Sequence, residues 1–143
     1  MQHIDNRVKS AQKHYEVTYK TFKTNATHFY NSIINNKKLM IILNQANSND
    51  INIKNKARKK LASIFNMKYQ LVAKLGIDLI HFHLPNNESF FRRFAQNSYG
   101  DDLTSLRYSV NQTNLNKKMY EGLEVGKYGH AFRFVFPLWI TIL

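Results

Sequence analysis

The chain has 143 residues and no cysteine, and its 21 Lys and Arg residues against 9 Asp and Glu residues give a net charge of +12. The length fits one domain, and the absence of cysteine excludes a disulfide scaffold, a thiolate metal site and a cysteine nucleophile. A strongly basic chain points to nucleic acid or an anionic membrane surface as a partner.

The positive charge is concentrated in the first half of the chain. Residues 1–75 contain 14 basic and 3 acidic residues, a net charge of +11, whereas residues 76–143 contain 7 basic and 6 acidic residues, a net charge of +1. We therefore divide the sequence into an N-terminal helical region, 1–75, and a second region, 76–143, that contains the glycines and prolines.

A long amphipathic helix is predicted from about Ile4 to Ile34. Apolar residues recur there at alternating steps of three and four, which keeps them on one face of a helix. The stripe consists of Ile4, Val8, Ala11, Tyr15, Phe22, Ala26, Phe29 and Ile33, with Thr18 filling the gap between Tyr15 and Phe22. Its spacing is close to a heptad, so it can pack against a second copy of the chain or against its own domain, and both alternatives stay open.

Further helices are predicted over residues 37–45 and from about Ile53 to Leu75. The second follows the polar turn Asn47–Asp50, which offers good N-cap residues. Gly76 stands where a left-handed C-cap residue is favoured. The inward positions predicted for this helix are Ile53, Ala57, Leu61, Ile64, Met67, Leu71 and Leu75.

After Gly76 the apolar period changes from helical to alternating, which is typical of strands. We predict strands over 77–84 and 89–94, a helix over 103–119, and a second hairpin with strands over 123–125 and 130–137. These elements predict an α+β domain whose antiparallel sheet receives the helices on one face.

Three blocks of the second region carry a family resemblance. The first runs from Leu75 to Arg92 and reads LGIDLIHFHLPNNESFFR, and the second is YGDDL at 99–103, followed by Arg107. The third combines EGLEVG at 121–126 with FRFVFPL at 132–138. In this order they are similar to the "hFHLPdnrSFLR", "GDDL…R" and "GlE-G…fR-vfPl" segments of double Cache sensory domains, which the chain resembles over about half its length.

The resemblance implies a PAS-like, extracytoplasmic small-molecule-sensing domain of a bacterial transmembrane signal transducer. Such transducers are chemoreceptors, histidine kinases or diguanylate cyclases. It also implies a periplasmic domain of a membrane-anchored protein, a homodimer formed through the long N-terminal helix, and neither catalysis nor a cofactor. The sequence departs from the family at Arg93-Phe94, where Met-His is usual, and lacks the family's later strands. We therefore expect a fragment whose sheet is incomplete at its C-terminus.

Three arginines, Arg92, Arg107 and Arg133, are the main ligand-binding candidates. Each lies in a matched block beside apolar neighbours, and a guanidinium presents a planar fork that suits a carboxylate, so a small anionic ligand is expected. The alternative is internal pairing with Asp101, Asp102 or Glu124. That alternative is favoured for Arg107 and stays open for the other two.

Histidines and aromatic residues complete the candidate site. His81 and His83 share one face of the predicted strand, but only His130 could act as a third metal ligand, so packing and hydrogen bonding are favoured over a metal site. We include His83, Tyr128 and Phe132 as candidate lining residues of a ligand pocket.

The adjacent acids Asp101 and Asp102 could hold a metal or act as an acid–base pair. Carboxylates that follow a glycine more often cap a helix, and capping is therefore favoured. No catalytic residue is predicted.

The basic run Lys54–Lys60 supports an alternative function, a small nucleic-acid-binding protein that uses the helical half. The run lacks a recognition motif or an aromatic stacking platform. We therefore prefer the sensory domain and expect no nucleic-acid partner.

Overall fold

A computed structural model describes residues 2–126 and 129–138. Five α-helices and four strands occur in these residues, and the predicted α+β class is confirmed. In chain order they are α1 (Gln2–Phe29), α2 (Lys37–Gln45), α3 (Ile51–Met67), α4 (Tyr69–Lys74), β1 (His81–His83), β2 (Ser89–Arg92), α5 (Tyr108–Asn116), β3 (Tyr120–Gly126) and β4 (Gly129–Val135). No helix in these two ranges combines the length and hydropathy needed to cross a lipid bilayer.

The long N-terminal helix has the predicted extent. α1 continues into a π-helical turn, Tyr30–Ile34, in which the N–H of Asn35 donates to the carbonyl of Tyr30 over 2.8 Å. The burial of its apolar stripe differs along the helix: Phe29 is buried, whereas Ile4 is 66% exposed. The C-terminal part of the stripe therefore packs on its own domain, and the N-terminal part does not.

Side-chain caps start the next two helices. The carboxamide oxygen of Asn36 accepts a 2.8 Å hydrogen bond from the N–H of Leu39, at the beginning of α2. The carboxylate of Asp50 accepts a 2.8 Å hydrogen bond from the N–H of Asn52, at the beginning of α3. These contacts satisfy N–H groups that a helix leaves unpaired in its first turn.

The predicted single helix ending at Leu75 is wrong in its second half, because the helix breaks at Lys68. Met67, the last residue before the break, and Leu71, which follows it, are exposed, whereas Val72 is buried. Gly76 adopts the predicted left-handed conformation, with φ of +71°.

The first hairpin pairs β1 with β2, with Phe82 opposite Phe91. The turn between them closes where the N–H of Leu84 donates to the carbonyl of Glu88 over 2.9 Å. The predicted strand over 77–84 begins only at His81. Its partner strand β2 ends at Arg92. Just beyond that end, the N–H of Arg93 still donates a hydrogen bond to the carbonyl of Ile80, the residue before β1.

The second half of the chain places α5 before the hairpin β3–β4, in which Gly122 lies opposite Arg133. The predicted helix over 103–119 starts late, at Tyr108. Asp102 accepts from the N–H of Thr104 over 2.9 Å and thereby caps a turn instead of the helix. The single predicted sheet is replaced by two separate two-stranded sheets, β1–β2 and β3–β4.

The hydrophobic core lies between the C-terminal end of α1, helices α2 and α3, and the first hairpin. The ring of Phe65 on α3 packs against Phe82 on β1 and Phe91 on β2, with centroids 5.6 and 6.4 Å apart. The core thus contains residues from both regions of the chain. The division at residue 75 stays a prediction about the sequence.

Candidate ligand-binding site

A cavity of about 710 Å³ lies beside the core and is lined by α1, residues 75–85, α5 and the β4 region. This volume is typical of pockets that hold a small organic molecule. The wall that α1 and the π-helical turn provide is largely apolar and consists of Phe22, Ala26, Phe29, Tyr30 and Ile34.

Successive side chains of β4 point to opposite faces of the strand and contact different parts of the domain. Phe132 packs against Tyr19 of α1 with ring centroids 5.3 Å apart, and Phe134 contacts the same ring at 5.7 Å. Arg133 points the other way, toward Glu124 on β3. Because both Phe132 and Arg133 line the cavity, this strand gives it apolar and cationic surface together.

Arg107 lies immediately before α5, lines the cavity and is only 8% exposed. Its Nη1 atom donates to the carbonyl of Val125 over 3.2 Å, and its Nε atom has no hydrogen-bond partner in residues 2–126 and 129–138. The favoured pairing with Asp101 or Asp102 is not what the structure shows. Asp101 pairs with Arg92 and Asp102 with Thr104.

Arg133 also lines the cavity and is held in an ion pair. Its Nε atom lies 3.4 Å from Oε2 of Glu124, without the geometry of a hydrogen bond. Burial lowers the pKa of Arg133, the charge of Arg107 lowers it further, and Glu124 opposes both effects. The two guanidinium groups are therefore close enough to repel each other.

Arg92 is the candidate that the structure does not bring to the cavity. Its two Nη atoms donate to the two carboxylate oxygens of Asp101, each over 2.7 Å, and Nη1 also donates to the carbonyl of Ser98 over 2.8 Å. This bidentate pair, in which Arg92 is buried and Asp101 is exposed, fixes β2 to the loop that follows it. Arg92 is thus committed to an internal contact, while Arg107 and Arg133 line the cavity.

His81 and His83 both line the cavity, with ring centroids 4.1 Å apart. His81 Nε2 and Ser89 Oγ share a hydrogen bond of 2.7 Å. Burial and the positive charges of Arg92, Arg133 and Arg107 lower the pKa of His83 to about 3, and burial lowers the pKa of His81 as well. Both rings are therefore neutral at neutral pH. Within the described ranges, no cluster of three potential metal ligands occurs.

The remaining predicted lining residue, Tyr128, lies outside the described residues. The sequence reasoning missed two residues of α5, Ser109 and Thr113, which are 4% and 3% exposed and line the cavity. Their hydroxyl oxygens have no hydrogen-bond partner in the part of the chain that the structure describes. Their four-residue spacing, which puts both on one helical face, was the signal that could have identified them.

The basic run on α3 is not a continuous exposed face. The guanidinium of Arg58 is buried between the rings of Phe90 and Tyr99, 4.6 and 3.7 Å from their centroids. Lys54 pairs with Glu88 over 3.5 Å. Two of the cations that suggested nucleic-acid binding thus have structural partners.

Comparison with known proteins relates the chain to a protein family. No curated protein and no solved structure matched the chain. A model of the double Cache type, described as the double sensory domain of two-component sensor kinases, matches residues 9–139 and so covers nearly all of the sequence. The chain therefore belongs to this family of double Cache sensory domains.

Proposed function

We propose that the domain senses a small molecule that binds in the cavity between α1, α5 and β4. The observation that carries this proposal is the composition of the cavity wall. Three side chains of α1 and two of the π-helical turn that follows it line a cavity whose other sides bring Arg107, Arg133, histidines and buried hydroxyls together. A molecule bound there contacts the longest helix of the domain directly, which is the arrangement that a sensor needs.

The π-helical turn at the end of α1 couples the cavity to the rest of the domain. Tyr30 in this turn lines the cavity, stacks on Phe136 with centroids 4.5 Å apart, and donates its hydroxyl proton to the carbonyl of Pro137 over 3.0 Å. π-Helical turns are rare and frequently occur at functional sites. A ligand that prefers one arrangement of this turn shifts the population of α1 positions.

We propose further that the domain belongs to a membrane-anchored bacterial transducer and faces the periplasm. The family description favours a sensor histidine kinase over a chemoreceptor or a diguanylate cyclase. Sensory domains of this kind lie outside the cell and are not themselves catalytic. Signal output belongs to other parts of such a protein.

The proposed dimer uses the N-terminal part of α1. Ile4 and Val8 are 66% and 60% exposed and continue the heptad-like stripe that packs on the domain farther along the helix. A second copy of the chain that presents the same stripe covers these side chains.

The sensing proposal is tested by filling the cavity. Ala26→Trp places an indole in the cavity from α1, and Ser10→Trp adds the same ring at an exposed position of the same helix that lies off the apolar stripe. Thermal unfolding is measured with a library of organic acids, amino acids, sugars, nucleosides and amines. We expect at least one compound to raise the Tm of the wild-type domain and of Ser10→Trp but not of Ala26→Trp. Equal stabilisation of all three proteins, or of none, overturns the proposal.

A further inference from the structure

The cavity contains buried polar atoms that lack partners. Nε of Arg107, Oγ of Ser109 and Oγ1 of Thr113 belong to side chains that are at least nine-tenths buried and line the cavity. None of the three atoms has a hydrogen-bond partner within residues 2–126 and 129–138. Because nearly all buried polar groups in proteins are paired, these three atoms point to a ligand that supplies hydrogen-bond acceptors.

The charges around the cavity leave one cation uncompensated. Two arginines form ion pairs near the cavity, Arg92 with Asp101 at 2.7 Å and Arg133 with Glu124 at 3.4 Å. The lining also contains one exposed carboxylate, Asp78, and one exposed ammonium group, Lys117, whose charges cancel in the count. In the described part of the chain, no carboxylate forms an ion pair with Arg107. Counting the arginine, lysine and carboxylate side chains, the site carries one excess positive charge, on a buried guanidinium.

His81 and His83 do not change this count. Burial and the charges of the neighbouring arginines keep both rings neutral at neutral pH, because both pKa values are strongly lowered. They therefore add no positive charge that would require a second anionic group on the ligand.

The part of the lining that α1 and the π-helical turn contribute has a different character. Its side chains are aromatic or aliphatic, and the hydroxyl of Tyr30 already donates to the carbonyl of Pro137. A ligand that fills the cavity therefore meets a cation and hydroxyls from Arg107 and α5, and apolar surface from α1.

We propose that the ligand of this cavity is a monocarboxylate with an apolar body. The carboxylate accepts from Nε of Arg107 and from the hydroxyls on α5, and the apolar body lies against α1. This inference rests on the proposed sensing function. Beyond that function, it specifies which features of the ligand the site recognises: a single negative charge and an apolar remainder.

The experiment compares matched ligands on the wild-type domain. Hexanoate and phenylacetate are the carboxylate probes, their amides are neutral isosteres, adipate adds a second carboxylate, and hexylamine reverses the charge. Isothermal titration calorimetry should show binding of the two monocarboxylates at least tenfold tighter than binding of each of the other compounds. Tighter binding of an amide, of adipate or of hexylamine overturns this inference but leaves the sensing function in place. Absence of binding by every compound, together with a negative library screen, overturns both.

Variants then assign the carboxylate to Arg107. Arg107→Gln should weaken hexanoate binding at least tenfold, and Arg107→Lys should restore only part of the loss because an ammonium lacks the planar fork. Arg7→Gln, at an exposed position of α1, serves as the matched control and should bind as the wild type does. If Arg107→Gln unfolds, the double variant Ser109→Ala/Thr113→Val replaces it and should weaken hexanoate binding by several-fold. Unchanged affinity in a folded variant of either kind contradicts the assignment.

Discussion

The carboxylate of Glu124 accepts a 2.9 Å hydrogen bond from the backbone N–H of Ser109. Ser109 lies in the first turn of α5, a helix whose own N-cap residue, Arg107, makes no side-chain capping bond. A side chain from β3 thus performs the capping role, and the negative charge lies where the helix dipole favours it. The other oxygen of the same carboxylate faces Arg133, so one residue orders the polar side of the cavity.

Removal of this remote cap should destabilise the domain. Glu124→Ala is expected to lower the free energy of unfolding by about 1–2 kcal/mol, because a buried N–H loses its acceptor and Arg133 loses its counter-ion. Glu124→Gln keeps an acceptor oxygen and should lose less. Urea denaturation measures both values, with the exposed Glu16→Ala as the control. Equal losses in Glu124→Ala and Glu16→Ala would show that the cap contributes nothing.

Arg58 should contribute to stability through its stacked and hydrogen-bonded position. Its Nε atom donates to the carbonyl of Phe90 over 2.8 Å, and its guanidinium lies between two rings. Arg58→Ala is expected to cost about 2–4 kcal/mol, the sum of a charged hydrogen bond and the cation–π contacts. The neighbouring exposed Lys59→Ala should change stability by less than about 0.5 kcal/mol. A loss below that limit for Arg58→Ala in denaturant unfolding would contradict the buried position.

The lowered pKa of His83 makes stability depend on pH. The unfolded side chain binds a proton near pH 6.5, whereas the folded one does so only near pH 3, so the unfolded state binds more protons between these values. The stabilising contribution is therefore complete above pH 6.5 and is lost as pH falls toward 3. His83→Gln should flatten the fall in unfolding free energy over this window, and the exposed His14→Gln should not. If the unfolding free energy of the wild type, His83→Gln and His14→Gln fell equally steeply with pH, His83 would have an ordinary pKa.

The exposed stripe of α1 predicts a dimer that acidic substitutions dissociate. Ile4→Glu and Val8→Glu put a charge into the proposed interface, and Ser10→Glu puts the same charge off the stripe. Analytical ultracentrifugation should show dimers for the wild type and Ser10→Glu, and a dissociation constant raised at least tenfold for the other two. A monomeric wild type, or equal dissociation of all variants, would contradict this interface.

The sequence predicted those features that local chemistry determines. The long helix followed from its apolar spacing, the end of α4 from Gly76, and the second hairpin from alternation around its glycines. The break at Lys68 could not be predicted, because no glycine or proline marks it. The start of α5 was missed because the same Asp102 that suits a helix cap here caps a turn.

The candidate site was predictable in composition but not in arrangement. Arg92, Arg107 and Arg133 look alike in sequence, since each lies among apolar neighbours. Tertiary structure separates them: the loop after β2 returns Asp101 to Arg92, whereas the hydrogen bonds that Arg107 makes to described residues go to main-chain carbonyls. The roles of Ser109 and Thr113 likewise depend on how α5 meets the cavity.

The most direct test of the cavity as the sensing site is a heteronuclear NMR titration of the wild-type domain with hexanoate, repeated with hexanamide. We predict that hexanoate shifts the side-chain Nε–H signal of Arg107 and the amide signals of Ser109, Thr113 and Tyr30, and that hexanamide shifts them much less. Equal responses to the two compounds, or hexanoate-induced shifts confined to the exposed lysines of α3, would contradict the account.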